Sequence, residues 1–321
     1  MPPALLRSAV LAASRSARVE RLVSSAPVSR DVVRRFVGGP DRTSAVAAAR
    51  ELIATGLTVS LDHLGEDCTD RDRARAVVTE YTELLRALAE AGLVERVEPL
   101  AARAEVSVKL SAIGQALPVD GEKLALDHAR AICRAAADVG ATVTLDMEDH
   151  TTTDSTLGIL RELRADFPDV GAVLQAYLRR TEGDCRDLAT AGSRVRLCKG
   201  AYREPESVAY TKRLDVDLSY VRCLNILMSG AGYPMIATHD PRLIEIAAER
   251  AKFHGKSAGS EFEFQLLYGI RPDEQRRLAE NQHTVRVYVP YGAQWYGYLM
   301  RRLAERPANL AFFARAVAGR G

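Results

Sequence analysis

Cysteine is scarce in this chain: five in 321 residues, at Cys68, Cys133, Cys185, Cys198 and Cys223, with no CxxC pair. An odd, scattered set excludes a fold built on disulfides or on paired-cysteine zinc sites, and points to reduced thiols packed as small apolar side chains. Lysine is rare too, at six of the 44 basic residues, and aromatic residues make up only 6%. No apolar run reaches the roughly 18 residues that a membrane span needs. The net charge of +2 gives no bulk attraction for nucleic acid or another polyanion. No HxH or HExxH spacing appears, so no metal is expected. No GxGxxG follows the first candidate strand, where LDHLGED carries one glycine, which disfavours a doubly wound dinucleotide-binding sheet.

What is present is an ordinary globular balance, 47% hydrophobic and 27% charged. From Thr58 onward, short β-branched or apolar runs alternate with longer stretches of helical period. The spacing predicts strands over 58–64, 105–111, 142–147, 170–177, 194–200, 234–239, 260–268 and 285–290. Helices are predicted over about 71–92, 122–139, 154–166, 183–191, 214–229, 241–254 and 272–281, with an eighth starting near Gln294. Asp154-Ser155 and Asp240-Pro241 read as N-caps, and Gly92, Gly140, Gly192 and Gly255 stand where helices should stop. Eight such units match an α/β fold of the (β/α)8 TIM-type barrel class in number and size. Residues 58–321 are assigned to the barrel and 1–57 to an N-terminal helical arm. The Arg- and Ser-rich stretch up to Phe36 also resembles a mitochondrial transit peptide; the arm is preferred because apolar residues continue there at helical spacing.

In such a barrel the C-terminal strand ends build the active site, and here they carry Asp62 and Glu66, Lys109 and Ser111, then Asp146, Glu148, Asp149 and His150. The later ends supply Gln175 and Tyr177; Arg196, Lys199 and Tyr202; Thr238 and His239; Gln265 and Tyr268; and Tyr288. Asp62 taken alone reads as a loop charge or cap. Lys109, pointing into a barrel mouth, needs a carboxylate or a substrate; Asp146 is the expected partner. The run Asp146–His150 has the residue types of a metal cluster, without supporting spacing elsewhere. His239 reads equally well as a ligand contact or as a satisfied core histidine. In Arg194–Tyr202, period two separates Arg196 and Cys198 from Leu197 and Lys199, and Gly200 and Ala201 leave room for a flat ligand near the backbone. Near the C-terminus, Tyr288 and the run Tyr298-Leu-Met-Arg301-Arg302-Leu-Ala-Glu305 place two adjacent guanidiniums on a helix. Such a pair suits bidentate capture of a small carboxylate.

Taken in order, SLDHLGE (60–66), SVKLS (107–111), LDMED (145–149), LQAY (174–177), RLCKGAYREPE (196–206), ATHD (237–240), FEFQLLYG (262–269) and VYVPYG with YLMRRLAE (287–305) resemble the proline dehydrogenase family. The resemblance covers roughly 58–313 and implies a (β/α)8 barrel that binds FAD without a Rossmann fingerprint. It implies flavin contacts at Met147, Gln175, Arg196, Cys198, Lys199, Gly200, Ala201, Tyr202, Thr238, His239 and Gln265, with Thr211 and Lys212 near the ribose or phosphates. It implies that Arg301, Arg302 and Lys109 hold the carboxylate of L-proline. Leu267, Tyr288 and Tyr298 would pack its ring, Asp146 would order Lys109, Glu305 would orient the arginine pair, and Glu66 would close the site on Arg301. Asp146 and Arg196 are the residues expected nearest the chemistry. Two departures stand out: Cys198 occupies a position where valine is common, and Arg203 one where the large bifunctional relatives often have tryptophan. The expected reaction is oxidation of L-proline to Δ1-pyrroline-5-carboxylate, with electrons passed to a membrane quinone. The protein would then be cytoplasmic and peripheral to the inner membrane, with a separate pyrroline-5-carboxylate dehydrogenase as partner and no nucleic acid. The rivals are a Schiff-base aldolase or decarboxylase using Lys109 or Lys199, and a non-catalytic amino-acid sensor.

Overall fold

The computed structural model describes residues 35–98 and 101–305. Helix α1 (Arg42–Ala54) starts at Asp41, whose carboxylate accepts from the Ser44 N–H and caps the first turn. Its Ala45, Ala48 and Ala49, small and at helical spacing, are buried in the same core as Val59 and Leu61. Most of the arm expected over 1–57 lies outside the described residues.

Eight parallel strands follow: β1 (Thr58–His63), β2 (Ala104–Val108), β3 (Thr142–Leu145), β4 (Ala172–Gln175), β5 (Arg194–Cys198), β6 (Tyr233–Ala237), β7 (Glu263–Leu267) and β8 (Thr284–Tyr291). The helices that alternate with them are α2 (Arg71–Glu90), α3 (Gly121–Val139), α4 (Thr153–Asp166), α5 (Thr181–Leu188), α6 (Arg213–Ser229), α7 (Pro241–Phe253), α8 (Pro272–Glu280) and α9 (Trp295–Glu305). Strand order is β3-β2-β1-β8-β7-β6-β5-β4, so sequence neighbours pair and β1 meets β8, Ser60 opposite Tyr288. The remaining seam, β3 to β4, is joined by the single bridge Thr144–Gly171. A Cβ at Gly171 would stand 2.6 Å from Thr144 Oγ1, so only glycine allows that approach. The result is a nearly closed barrel of the expected class.

Local departures from expectation have local causes. The strand expected to reach residue 111 stops at Val108, and Lys109 leads into the 3-10 turn Leu110–Ile113. Asp240 caps α7 as expected, accepting from the Arg242 N–H at 3.2 Å. Asp154 does not cap α4. That helix begins at Thr153, behind a short turn capped by Asp149, and Asp154 instead meets Arg180 Nη1 at 2.6 Å. An antiparallel hairpin, Arg96–Glu98 with Ala101–Ala102, has no counterpart in the sequence expectations. It covers the N-terminal end of the barrel, where Ala101 packs with Tyr233 and Met235 and the Ala102 carbonyl accepts from Arg286.

Period-two alternation gives each strand two environments. Outward residues such as Val59, Leu61, Val106, Val108, Leu174, Leu197, Phe264 and Val287 are buried against the helices. The inward polar residues Ser60, Asp62, Glu105, Ser107, Arg194, Arg196, Glu263, Gln265 and Arg286 are all buried. A barrel of this class is commonly filled with branched aliphatic side chains; the interior of this one carries a network of ion pairs. Four cysteines are buried, Cys198 is half-buried, and all five are free thiols.

Candidate active site

Exposure rises toward the C-terminal ends of the strands. Along β5, Arg194 is 0% exposed, Arg196 5%, and Cys198 is half-buried. The floor is therefore sealed and the mouth lies at the strand C-termini. On the floor, Arg286 grips both oxygens of Glu263, Nε to Oε1 at 2.7 Å and Nη2 to Oε2 at 3.0 Å. Glu105 accepts from Arg194 at 2.5 Å and from Arg196 Nη2 at 3.1 Å. Burial opposes ionisation of Glu105, but Arg286, Arg194 and Arg196 outweigh it and hold the carboxyl well below its ordinary range.

Arg196 is the hub. Its Nη1 donates to Asp146 Oδ1 at 2.7 Å and to Ser107 Oγ at 2.8 Å, its Nε donates to Gln265, and its guanidinium lies 5.3 Å from the centre of the Tyr288 ring. Above it, Tyr288 OH donates to Asp146 Oδ2 at 2.7 Å. Lys109 Nζ donates to Asp62 Oδ2 at 2.7 Å, with Asp146 Oδ2 3.6 Å away and Tyr288 OH at 3.5 Å. Burial pulls the Lys109 pKa down; Asp62 and Asp146 more than reverse it, and the ammonium stays protonated. The two carboxylates differ. Burial pushes both up, but Asp146 has Arg196 as well as Lys109 and ends lowered, whereas Asp62, paired with Lys109 and repelled by Asp146, ends raised.

One expectation is corrected here. Asp62 is no loop charge: it is 1% exposed and is the nearer partner of Lys109, while Asp146 serves mainly Arg196, Ser107 and Tyr288. Nor do the acidic groups of Asp146–His150 gather, because Glu148 turns to Ser111, accepting from its Oγ at 2.6 Å and its N–H at 3.1 Å, and His150 turns to Glu204. Burial, against those two hydrogen bonds, pushes the Glu148 carboxyl up to about 6.

Of the other expected residues, Gln175 is buried and donates to the Glu148 carbonyl at 2.7 Å, and Met147 and Thr238 are buried beside the mouth. Gln265 is engaged from both sides, by Arg196 and by Glu263. His239 Nε2 accepts from the Leu267 N–H at 2.9 Å, which fixes that ring nitrogen as unprotonated. Lys199 leaves the interior for Asp217 at 2.5 Å and Asp240 at 3.2 Å. Gly200 and Leu267 are half-buried, and Ala201 and Tyr202 are exposed at the rim. Thr211 and Lys212 are exposed, with Thr211 Oγ1 on Glu206. Glu66 is half-buried and adds to the field that keeps Lys109 charged. Tyr298 is buried on α9 with Val37, Leu64 and Trp295. Arg301, Arg302 and Glu305 belong to the last turns of α9, but their side chains lie outside the described residues.

Sequence patterning left out Glu105, Glu263, Arg194 and Arg286, the floor of the network. A signal for them exists: E-V-S-V-K, R-V-R, E-F-Q and R-V-Y each place polar residues at alternate positions of an otherwise apolar strand. The geometry also weakens the Schiff-base alternative. A lysine held as an ammonium by two carboxylates is a poor nucleophile, and Lys199 is tied to two aspartates.

A (β/α)8 barrel with a sealed floor, an open C-terminal mouth and ionised groups converging beneath it is the architecture of an enzyme. The chain matches the model of the proline dehydrogenase family over residues 45–315 and belongs to that family. It is 39% identical over 284 residues to Proline dehydrogenase 1 of Bacillus subtilis (strain 168), covering 88% of this chain and 90% of that protein. It is 39% identical over 315 residues to Proline dehydrogenase of Deinococcus radiodurans, covering 98% of each. Among solved structures, proline utilization A (PutA) from Bdellovibrio bacteriovorus, inactivated by N-propargylglycine, superposes with a TM-score of 0.77 at 26% identity, over 86% of this chain and 32% of that one.

Proposed function

We propose that this protein oxidises L-proline to Δ1-pyrroline-5-carboxylate with FAD as its cofactor. The observation that carries this beyond family membership is the mouth of the barrel. There the Lys109 ammonium, held by Asp62 and Asp146, stands beside the Tyr288 hydroxyl and above the Arg196 guanidinium. The donor set fits an electron-accepting ring: a cation locked by five neighbours, Gln175 and Gln265 amides at the strand ends, and a small-residue run, Gly200-Ala201, at the rim. Bound there, FAD would accept a hydride from the substrate carbon next to nitrogen.

The chain's own contribution is position and charge. Lys109, with Arg301 and Arg302, would hold the proline carboxylate; Leu267, Tyr288 and Tyr298 would border the ring. Asp146 would keep the aromatic wall and the Arg196 cation in register, since it accepts from both. Met147, Cys198, Lys199, Tyr202, Thr238 and His239 would line the cofactor, and Glu66 and Glu305 would orient or cover the arginine pair. Residues 58–321 would form the catalytic domain and 1–57 its helical arm. Electrons would pass on to a quinone from a cytoplasmic protein peripheral to the membrane, and the product to a pyrroline-5-carboxylate dehydrogenase. Among the described residues no helix is long and apolar enough to cross a membrane. The test is one absorbance spectrum. Purified protein should show flavin bands that bleach on adding L-proline; turnover of proline by a colourless, flavin-free protein would overturn the cofactor, and unbleached bands would overturn the substrate.

A further inference from the structure

Three residues at the barrel rim form a device that the chemistry above leaves unused. His150 follows β3, Tyr177 follows β4 and Glu204 follows β5, so three successive strand ends converge. Only 3% of the Glu204 side chain is exposed, although it belongs to a loop whose neighbours Arg203 and Pro205 are open to solvent. Its Oε1 accepts from the His150 N–H at 3.0 Å and from Tyr177 OH at 3.2 Å, and its Oε2 meets His150 Nδ1. A buried carboxylate is stable only when its lone pairs are met, so these contacts act together.

The same tyrosine holds the near end of the loop. The Tyr177 N–H donates to the Lys199 carbonyl at 2.9 Å, and its carbonyl accepts from the Tyr210 N–H at 2.7 Å. Its ring presses on Gly200, where φ is +110° and a Cβ would lie 2.4 Å from the ring carbons. The segment 199–204 is thus fixed at its start by Tyr177 and at its end by Glu204.

We propose that Glu204, with His150 and Tyr177, is a positioning residue: the three form a clasp that holds Lys199–Tyr202 in the conformation that receives the flavin. This rests on the flavin reading above and assigns residues to it. None of the three is asked to touch the reacting atoms.

The test uses the full chain and two kinds of measurement. The bond after Arg203 is an exposed tryptic site inside the clasped loop. His150→Ala leaves that site's own residues unchanged and should speed its cleavage by about tenfold, the scale of one lost charge-assisted hydrogen bond. His150→Asn, whose amide can donate where Nδ1 does, should restore slow cleavage. In the flavin-loaded enzyme, His150→Ala and Glu204→Gln should shift the flavin bands and weaken flavin retention by roughly tenfold or more. Neither should change the KM for proline as much as kcat. Equal cleavage of wild type and His150→Ala overturns the clasp. Faster cleavage with unaltered flavin bands and retention overturns its positioning role. Cleavage requires neither flavin nor proline, so a wild type that lacks both activities would sink the functional reading while leaving the mechanical result intact.

Discussion

At the scale of single side chains, Glu148 offers a direct test of the site's electrostatics. Its carboxyl rises from an ordinary 4.5 to about 6 because burial disfavours the charged form. A group that holds its proton more tightly in the folded state stabilises the fold fully below the unfolded pKa. That contribution disappears as pH rises through the folded one. The window is therefore pH 4.5 to about 6, and the loss about 2 kcal/mol. Glu148→Gln should gain on wild type by about 1 kcal/mol between those two values, the rest of the loss falling at lower and higher pH. Urea unfolding at both pH values measures it; a pH-independent difference would mean the carboxyl is not perturbed. Arg301 is a residue-scale prediction of another kind. If it contributes a bidentate contact to the substrate, Arg301→Met should lower kcat/KM for proline roughly ten- to hundredfold. Steady-state kinetics decide it, and unchanged values would remove Arg301 from the carboxylate site.

At the scale of elements, the barrel was legible because period-two runs and period-3.6 runs alternate so regularly. Strand ends were less so. Where a ladder stops depends on the neighbouring strand, which is why the strand pattern runs on through Lys109 although Lys109 leads into a turn. The hairpin at Arg96–Ala102 was invisible because its strands are too short to show a period. The role of Asp62 is hidden for a related reason: its importance comes from Lys109, 47 residues away, and no local pattern carries that pairing. The motif residues of the mouth were readable as types, whereas the partner each would choose was not. One element-level weakness is open to measurement. β3 and β4 share only the Thr144–Gly171 bridge, whereas β1 and β8 are paired from Thr58–Arg286 to His63–Tyr291. Backbone amides along β3 and β4 at that seam should exchange with deuterium faster than those of β1 and β8, because fewer ladder bonds must open. Equal protection would show that the flanking helices, not the ladder, hold the seam.

At the scale of the whole molecule, the ionic interior has a consequence for how the chain can be divided. To the ion-pair network inside the barrel the first four strand units bring three carboxylates, Asp62, Glu105 and Asp146, against one ammonium, Lys109. The last four bring three guanidiniums, Arg194, Arg196 and Arg286, against one carboxylate, Glu263. Each half thus turns a surplus of one sign toward the axis, and the two surpluses cancel only when the halves meet. A half-barrel on its own would have to leave those groups in water, since burying them unmatched costs several kcal/mol apiece. The two halves therefore carry, on their inner walls, an electrostatic lock and key that favours the complete ring over either fragment.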